Sequence, residues 1–207
     1  MNSPFRRRVA LTFDDGPNSE YSLQILDILK SHNSIKAAFF FPGKNVEREP
    51  DTALRVKQEG HDIGNHSYSH PHLNRLSPAD CAFEVERTEK VFKDLLGIKP
   101  RFFRPPYGEY NLAIERFITA KGYKLVLWDM KCYSMDWMGY SARRIADVST
   151  QKARDGSIIL LHDGRNIQYR PCRRNTVKAL GMIIEILEEK GFEIVPLNSI
   201  CEDWKEL

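Results

Sequence analysis

Long apolar runs are missing from these 207 residues, and no stretch approaches the roughly 18 residues that a membrane span requires. Cysteine is scarce and dispersed: Cys81, Cys132, Cys172 and Cys201 form no C-x-x-C pair. That spacing excludes a zinc ribbon and a thioredoxin-like redox site, and it leaves four separate thiols. Net charge is small, with 31 Lys and Arg against 28 Asp and Glu for a formal +3, too little to mark nucleic acid as the partner. Neither a G-x-x-x-x-G-K-[ST] phosphate loop nor a G-x-S-x-G nucleophile elbow is present. No apolar signal region follows the N-terminal arginines, so the sequence as it stands reads as cytoplasmic, with a secreted or cell-envelope protein as the alternative if an export signal has been removed. With 42% hydrophobic and 29% charged residues and no Pro/Ser-rich linker, the expectation is one globular domain over 1–207.

Short apolar runs rich in β-branched and aromatic residues alternate with longer stretches of helical period. The pattern predicts strands over 9–13, 37–41, 62–64, 102–104, 124–128, 157–161 and 192–195. Helices are predicted over 22–31, 47–59, 77–96, 111–121, 142–153 and 176–190, with a short one after Asn198. Ser77-Pro78 reads as an N-cap with proline at the first helical position, and Gly97 as the stop of that helix. About seven strand-helix units imply an α/β fold with parallel strands, either a (β/α) barrel or an open doubly wound sheet. A complete eight-unit barrel takes about 250 residues, so a barrel here is short or incomplete. Asp14-Asp15, His66 with His70, Arg104, Asp136 and His162 each fall at or just after a different predicted strand end. A barrel gathers such ends at one mouth, whereas an open sheet spreads them along a crevice.

Each cluster has a bland reading and a chemical one. Thr12-Phe13-Asp14-Asp15-Gly16-Pro17 is either an Asx turn or two carboxylates aimed in different directions, one for a metal and one for the reacting atom. His66 and His70, four residues apart, are either surface neighbours or two imidazoles that reach one ion. With Asp15 they form a two-histidine, one-carboxylate set of the kind that leaves a coordination position open. Arg104-Pro105-Pro106-Tyr107-Gly108 is a rigid turn behind an arginine placed to pair with a carboxylate. His162 ends a buried strand, and Ser134-Met135-Asp136-Trp137 supplies another carboxylate.

In the order TFDDGP, HSYSH, RPPYG, SMDW, LLHD, these five clusters resemble the motifs of the NodB-homology polysaccharide deacetylases, carbohydrate esterase family four. The resemblance runs from Val9 to His162 and on through the last strand and helix. It implies a single NodB-homology domain with a distorted, incomplete TIM-like (β/α) barrel. It implies that Asp15, His66 and His70 hold a divalent metal, zinc first and cobalt or another ion as alternatives. It further implies Asp14 as general base, Arg104 as its partner, and the backbone N–H of Tyr107 as an oxyanion donor. His162 is the matching general acid, held protonated by Asp136, and Trp137 with Leu160 matches the pocket for the acetyl methyl. The implied reaction is removal of N-acetyl groups from N-acetylglucosamine-type glycans. Hydrolysis of a small or cyclic amide, O-deacetylation of xylan, and a catalytically silent carbohydrate-binding relative are the alternatives.

The chain departs from the pattern where Tyr133 stands three positions before Asp136, in a place that is often acidic. Cys132 beside it reads as a buried structural thiol. After His162, Arg165, Arg170, Arg173 and Arg174 crowd one loop. They are expected either as a solvated run or as a grip on carboxylate or phosphate groups of an anionic glycan.

Overall fold

The structure, a computed structural model, describes residues 7–164 and 172–202. All strand pairs in it are parallel. Strands β1 (Arg7–Asp14), β2 (Ala38–Phe41), β3 (Asp62–Asn65), β4 (Phe102–Phe103), β5 (Lys124–Leu125) and β6 (Ser157–His162) lie in the order β5-β4-β3-β2-β1-β6, and β7 (Phe192–Ile194) pairs with the start of β1. Between them run α1 (Tyr21–Ser31), α2 (Gly43–Arg48), α3 (Pro50–Gln58), α4 (Pro78–Val91), α5 (Leu112–Ala120), α6 (Ala142–Gln151), α7 (Arg174–Glu189) and α8 (Leu197–Cys201). The sheet curls into an incomplete barrel. Among the described residues no ladder joins β5 to β6; Asp129 N–H, donating to Ile158 O at 2.9 Å, spans part of that gap.

Alternation along each strand sorts the core into two layers. Outward residues such as Leu11, Phe13, Phe39, Phe41, Ile159 and Leu161 pack against Ile25 and Leu29 of α1 and Ile183, Ile184 and Leu187 of α7. Inward residues Ala10, Ala38, Phe40, Phe102 and Ile158 form a second cluster, which α8 plugs from below with Leu197, Ile200 and Cys201. Each such fully buried large side chain contributes about 1.5–3 kcal/mol. The barrel floor is therefore apolar and filled, and polar inward residues collect at the other end.

Three predicted elements come out differently. The helix expected over 47–59 is two helices, α2 and α3, because Pro50 cannot continue the first and instead opens the second. The strand expected over 124–128 stops at Leu125, since Arg104 takes the carbonyls of Val126 (Nε, 3.2 Å) and Leu127 (Nη2, 3.3 Å) that a ladder would have used. The helix expected over 77–96 is regular only to Val91 and closes through a wider turn, Phe92–Leu96, at left-handed Gly97. Its predicted start holds: Ser77 Oγ accepts from Asp80 N–H at 3.2 Å. No helix among the described residues is long and apolar enough to cross a membrane.

Candidate active site and metal centre

Strand parity builds the site. Asp14 continues the inward series Ala10, Thr12; His162 continues Ile158, Leu160; and Arg104 follows inward Phe102. His66 lies two residues beyond Gly64, where a Cβ would meet the ring of inward Phe40 at 2.5 Å. Four polar side chains from four strands thus converge on one mouth, above an apolar floor.

Arg104 is fully buried and its guanidinium is satisfied on every side that faces a strand. Nη1 donates to Asp14 Oδ1 at 2.7 Å and to Thr12 Oγ1 at 3.0 Å, and the cation lies 4.0 Å over the Phe40 ring. A buried charge needs such partners. Burial pushes the Asp14 carboxyl above the ordinary carboxylate range, while the charges of Arg104 and His162 pull the other way.

Asp15 and the His66–His70 segment are aimed by unusual backbone. Asp15, Ser67, His70 and Tyr107 all have left-handed φ, between 61° and 73°. For residues other than glycine this conformation costs about 1–2 kcal/mol each, so the surroundings must hold it. They do so through side chains bonded to main chain. Asn45 Nδ2 donates to Asp15 O at 2.7 Å, and Asp163 Oδ1 accepts from Gly16 N–H at 3.1 Å. Asn65 Oδ1 accepts from Ser67 N–H at 2.9 Å, and Ser67 Oγ accepts from His70 N–H at 3.1 Å. Glu84 on α4 accepts from Tyr68 N–H (2.9 Å), Ser69 N–H (2.7 Å) and Ser69 Oγ (2.8 Å), clasping the loop between the two histidines.

Ligand atoms of Asp15, His66 and His70 lie within 4.8 Å of one another, the one such group of three among the described residues. His70 Nε2 is 3.3 Å and His66 Nε2 3.9 Å from Asp15 Oδ1. Tetrahedral bonds of about 2.0–2.1 Å set neighbouring ligands roughly 3.3 Å apart, so the spacing fits an ion with little adjustment. The imidazole of His66 is prepared for it. Nδ1 lies 2.7 Å from Arg104 O, which can only accept, so the proton sits on Nδ1 and the Nε2 lone pair faces the other ligands. Burial, aided by the charge of His70, lowers His66 to about 3 and keeps the ring neutral. Nε2 of His70 faces Asp15, and its Nδ1 is buried without a hydrogen-bond partner among the described residues.

Across the mouth, His162 Nδ1 and Asp136 Oδ1 are 2.7 Å apart; Asp136 Oδ2 accepts from His162 N–H at 2.9 Å and Thr176 Oγ1 at 2.8 Å. Burial alone would neutralise both groups. Their mutual charge and hydrogen bonding outweigh it, raising His162 and lowering Asp136 from their ordinary values.

The remaining expected residues take distinct places. Tyr107 is 42% exposed; its ring meets His70 in a T-shaped contact (centroids 4.6 Å) and stacks on His72 (3.9 Å). Leu160 is buried one inward position below His162, while Trp137 is 40% exposed with Nε1 donating to Tyr133 Oη at 3.0 Å. Tyr133 thus fills the departure from the motif with a hydroxyl bonded to Trp137. Cys132 is fully buried, and burial pushes its thiol up to about 11, as an inert structural residue requires. Arg173, expected either in a solvated run or at an anionic glycan, is instead 1% exposed, with Nε bonded to Gly164 O at 2.7 Å. Arg165 and Arg170 lie outside the described residues.

Sequence reading missed Glu84, Asn45, Asn65, Asp163 and Thr176. Glu84 and Thr176 had a signal, since each falls within the apolar stripe of its helix: Cys81, Glu84, Val85, Thr88 and Val91 in one, Thr176, Val177, Leu180 and Ile183 in the other. The asparagines had none.

A buried carboxylate–arginine pair, a two-histidine, one-carboxylate ion site and a histidine–carboxylate pair around one barrel mouth define a metal-dependent hydrolase class. Residues 2–126 match the family model described as polysaccharide deacetylase, and the chain belongs to that family. It is 38% identical over 209 residues to a peptidoglycan-N-acetylglucosamine deacetylase of Bacillus cereus, covering all of this chain and 73% of that protein. The solved structure of the peptidoglycan deacetylase PdaC of Bacillus subtilis superposes with a TM-score of 0.85 at 34% identity, covering 99% of this chain and 95% of that one. This chain spans only 40% of the full PdaC sequence, which is described as a peptidoglycan-N-acetylmuramic acid deacetylase. A chitooligosaccharide deacetylase of a Bradyrhizobium strain is 35% identical over 94% of this chain and 90% of its own length. The fold agrees with that of these relatives.

Proposed function

We propose that this chain hydrolyses N-acetyl groups from N-acetylglucosamine-type sugars in a peptidoglycan or chitin-like glycan, releasing acetate. The observation that carries this reading is the convergence on one mouth of three ion ligands, flanked by the Asp14–Arg104 pair and the His162–Asp136 pair. Asp15, His66 and His70 would hold the ion, and zinc suits a set of two imidazoles and one carboxylate. When bound, the ion supplies Lewis acidity toward the acetamide carbonyl and acidifies water.

Asp14 then serves as general base, taking a proton from the attacking water; its raised pKa suits that task, and Arg104 fixes the orientation of its second oxygen. The backbone N–H of Tyr107 donates to the developing oxyanion, its direction set by left-handed φ. His162 gives its proton to the amine nitrogen as the C–N bond breaks, and Asp136 keeps that proton in place until then. Trp137 and Leu160 confine the acetyl methyl. Acetate release from N-acetylglucosamine oligomers, with chelator, with restored zinc or cobalt, and with Asp14→Asn, tests the reading. Metal-dependent release that Asp14→Asn abolishes is expected; an ion bound without any release would overturn the substrate assignment.

A further inference from the structure

Arg173 is placed against three physical preferences at once. It is 1% exposed, so its charge is out of water. It caps the N-terminus of α7, where the helix dipole disfavours a cation. Its Nη1 is buried without a hydrogen-bond partner among the described residues, although Nε is fixed on Gly164 O. Such costs accumulate where a charge has a task.

The neighbourhood names the task. One turn along the same helix, Thr176 bonds Asp136 Oδ2, and Asp136 grips His162 through both ring and main chain. Gly164, the residue that Arg173 holds, donates to Asp14 O at 3.4 Å and is so close to Asp15 that a Cβ would fall 1.8 Å from Asp15 O. Arg173 thus ties the first turn of α7, which reaches the histidine–carboxylate pair through Thr176, to the turn behind the base and an ion ligand.

We propose that Arg173 is a positioning residue for proton donation: bonded to Gly164, it anchors the start of α7, from which Thr176 holds the Asp136 carboxylate under His162, and its charge balances that carboxylate. The groups that face His162 are Asp136, which favours its protonated form most, Asp15, which adds to that, and Arg173, which opposes both; Asp14 also faces it and feels its charge. Without Arg173 the imidazolium would hold its proton more tightly and deliver it less readily.

The inference rests on His162 as proton donor, so His162→Ala is the control for that reading. Arg173→Gln, Arg173→Lys and Thr176→Val are compared for kcat, KM, the pH profile of kcat/KM, and zinc affinity by calorimetry. Arg173→Gln is expected to lower kcat roughly 10- to 100-fold. KM and zinc affinity should stay within about twofold, and the alkaline limb should move up by about half a unit or more. Arg173→Lys should recover the limb and most of kcat. An unmoved limb, or equal losses in the lysine and glutamine variants, overturns the proposal in favour of a merely structural arginine. If the glutamine variant does not fold, Thr176→Val decides: a several-fold drop in kcat at constant KM supports the proposal, and wild-type kcat overturns it. An active His162→Ala enzyme would instead remove the donor assignment itself.

Discussion

On one side of the mouth, Asp15 and His70 are aimed by left-handed backbone that Asn45, Asn65, Ser67 and Glu84 hold through main-chain hydrogen bonds. On the other side, His162 ends a regular six-residue strand and is aimed by charge, through Asp136, Thr176 and Arg173. The ligand side fixes distances, which an ion demands to within a few tenths of an ångström. The donor side fixes a protonation state, which an acid demands. Substitutions on the two sides should therefore fail in different ways.

The largest expected effect lies on the ligand side. His70→Ala should remove zinc binding in calorimetry and lower acetate release by at least about 1,000-fold. Asp136→Asn, on the donor side, should leave zinc affinity within about twofold while lowering kcat/KM roughly 100-fold or more. The sign of its pH effect follows from the charge it removes. Asp136 raises His162, and activity falls as pH rises through that pKa. Without the carboxylate His162 loses its proton earlier, so the alkaline limb should move toward acid. An equal loss of zinc in both variants would erase the distinction between the sides.

Glu84→Gln sharpens the same comparison at a distance. Glu84 touches no ligand side chain, yet its carboxylate receives three bonds from the loop that separates His66 from His70. Loss of such an outer partner weakens metal binding by about 10- to 100-fold. Zinc affinity should fall within that range while the alkaline limb stays in place; unchanged affinity would show that the left-handed loop holds itself.

What the sequence made legible follows from period. The inward positions Asp14, Arg104 and His162 can be counted off their strands in steps of two, and the helix start at Ser77 can be read from its own residues. What stayed hidden depends on partners remote in the chain. Nothing local shows that Arg104 will take two carbonyls and end β5, or that Asn45 will reach Asp15, 30 residues away. Arg173 lies between these cases. The spacing 173, 176, 177, 180 continues the buried stripe of α7, so its burial was countable, but a row of arginines reads first as a solvated loop.

That correction narrows the expected grip on an anionic glycan and gives the smallest effect. Of the arginines after His162, Arg173 points inward, whereas Arg174 is 73% exposed and stands 3.9 Å from Glu20 Oε1. An ion pair that long and that exposed contributes little to stability, so Arg174→Ala should leave Tm within about 1 °C. Its charge is available to a ligand instead. If the glycan is anionic, the variant should raise KM for a carboxylate-bearing oligosaccharide about two- to threefold at low salt, and the difference should vanish as salt screens it. KM for neutral N-acetylglucosamine oligomers should not change. Equal effects on the charged and neutral substrates would place Arg174 with the solvated residues, and leave the mouth without a charge preference from this helix end.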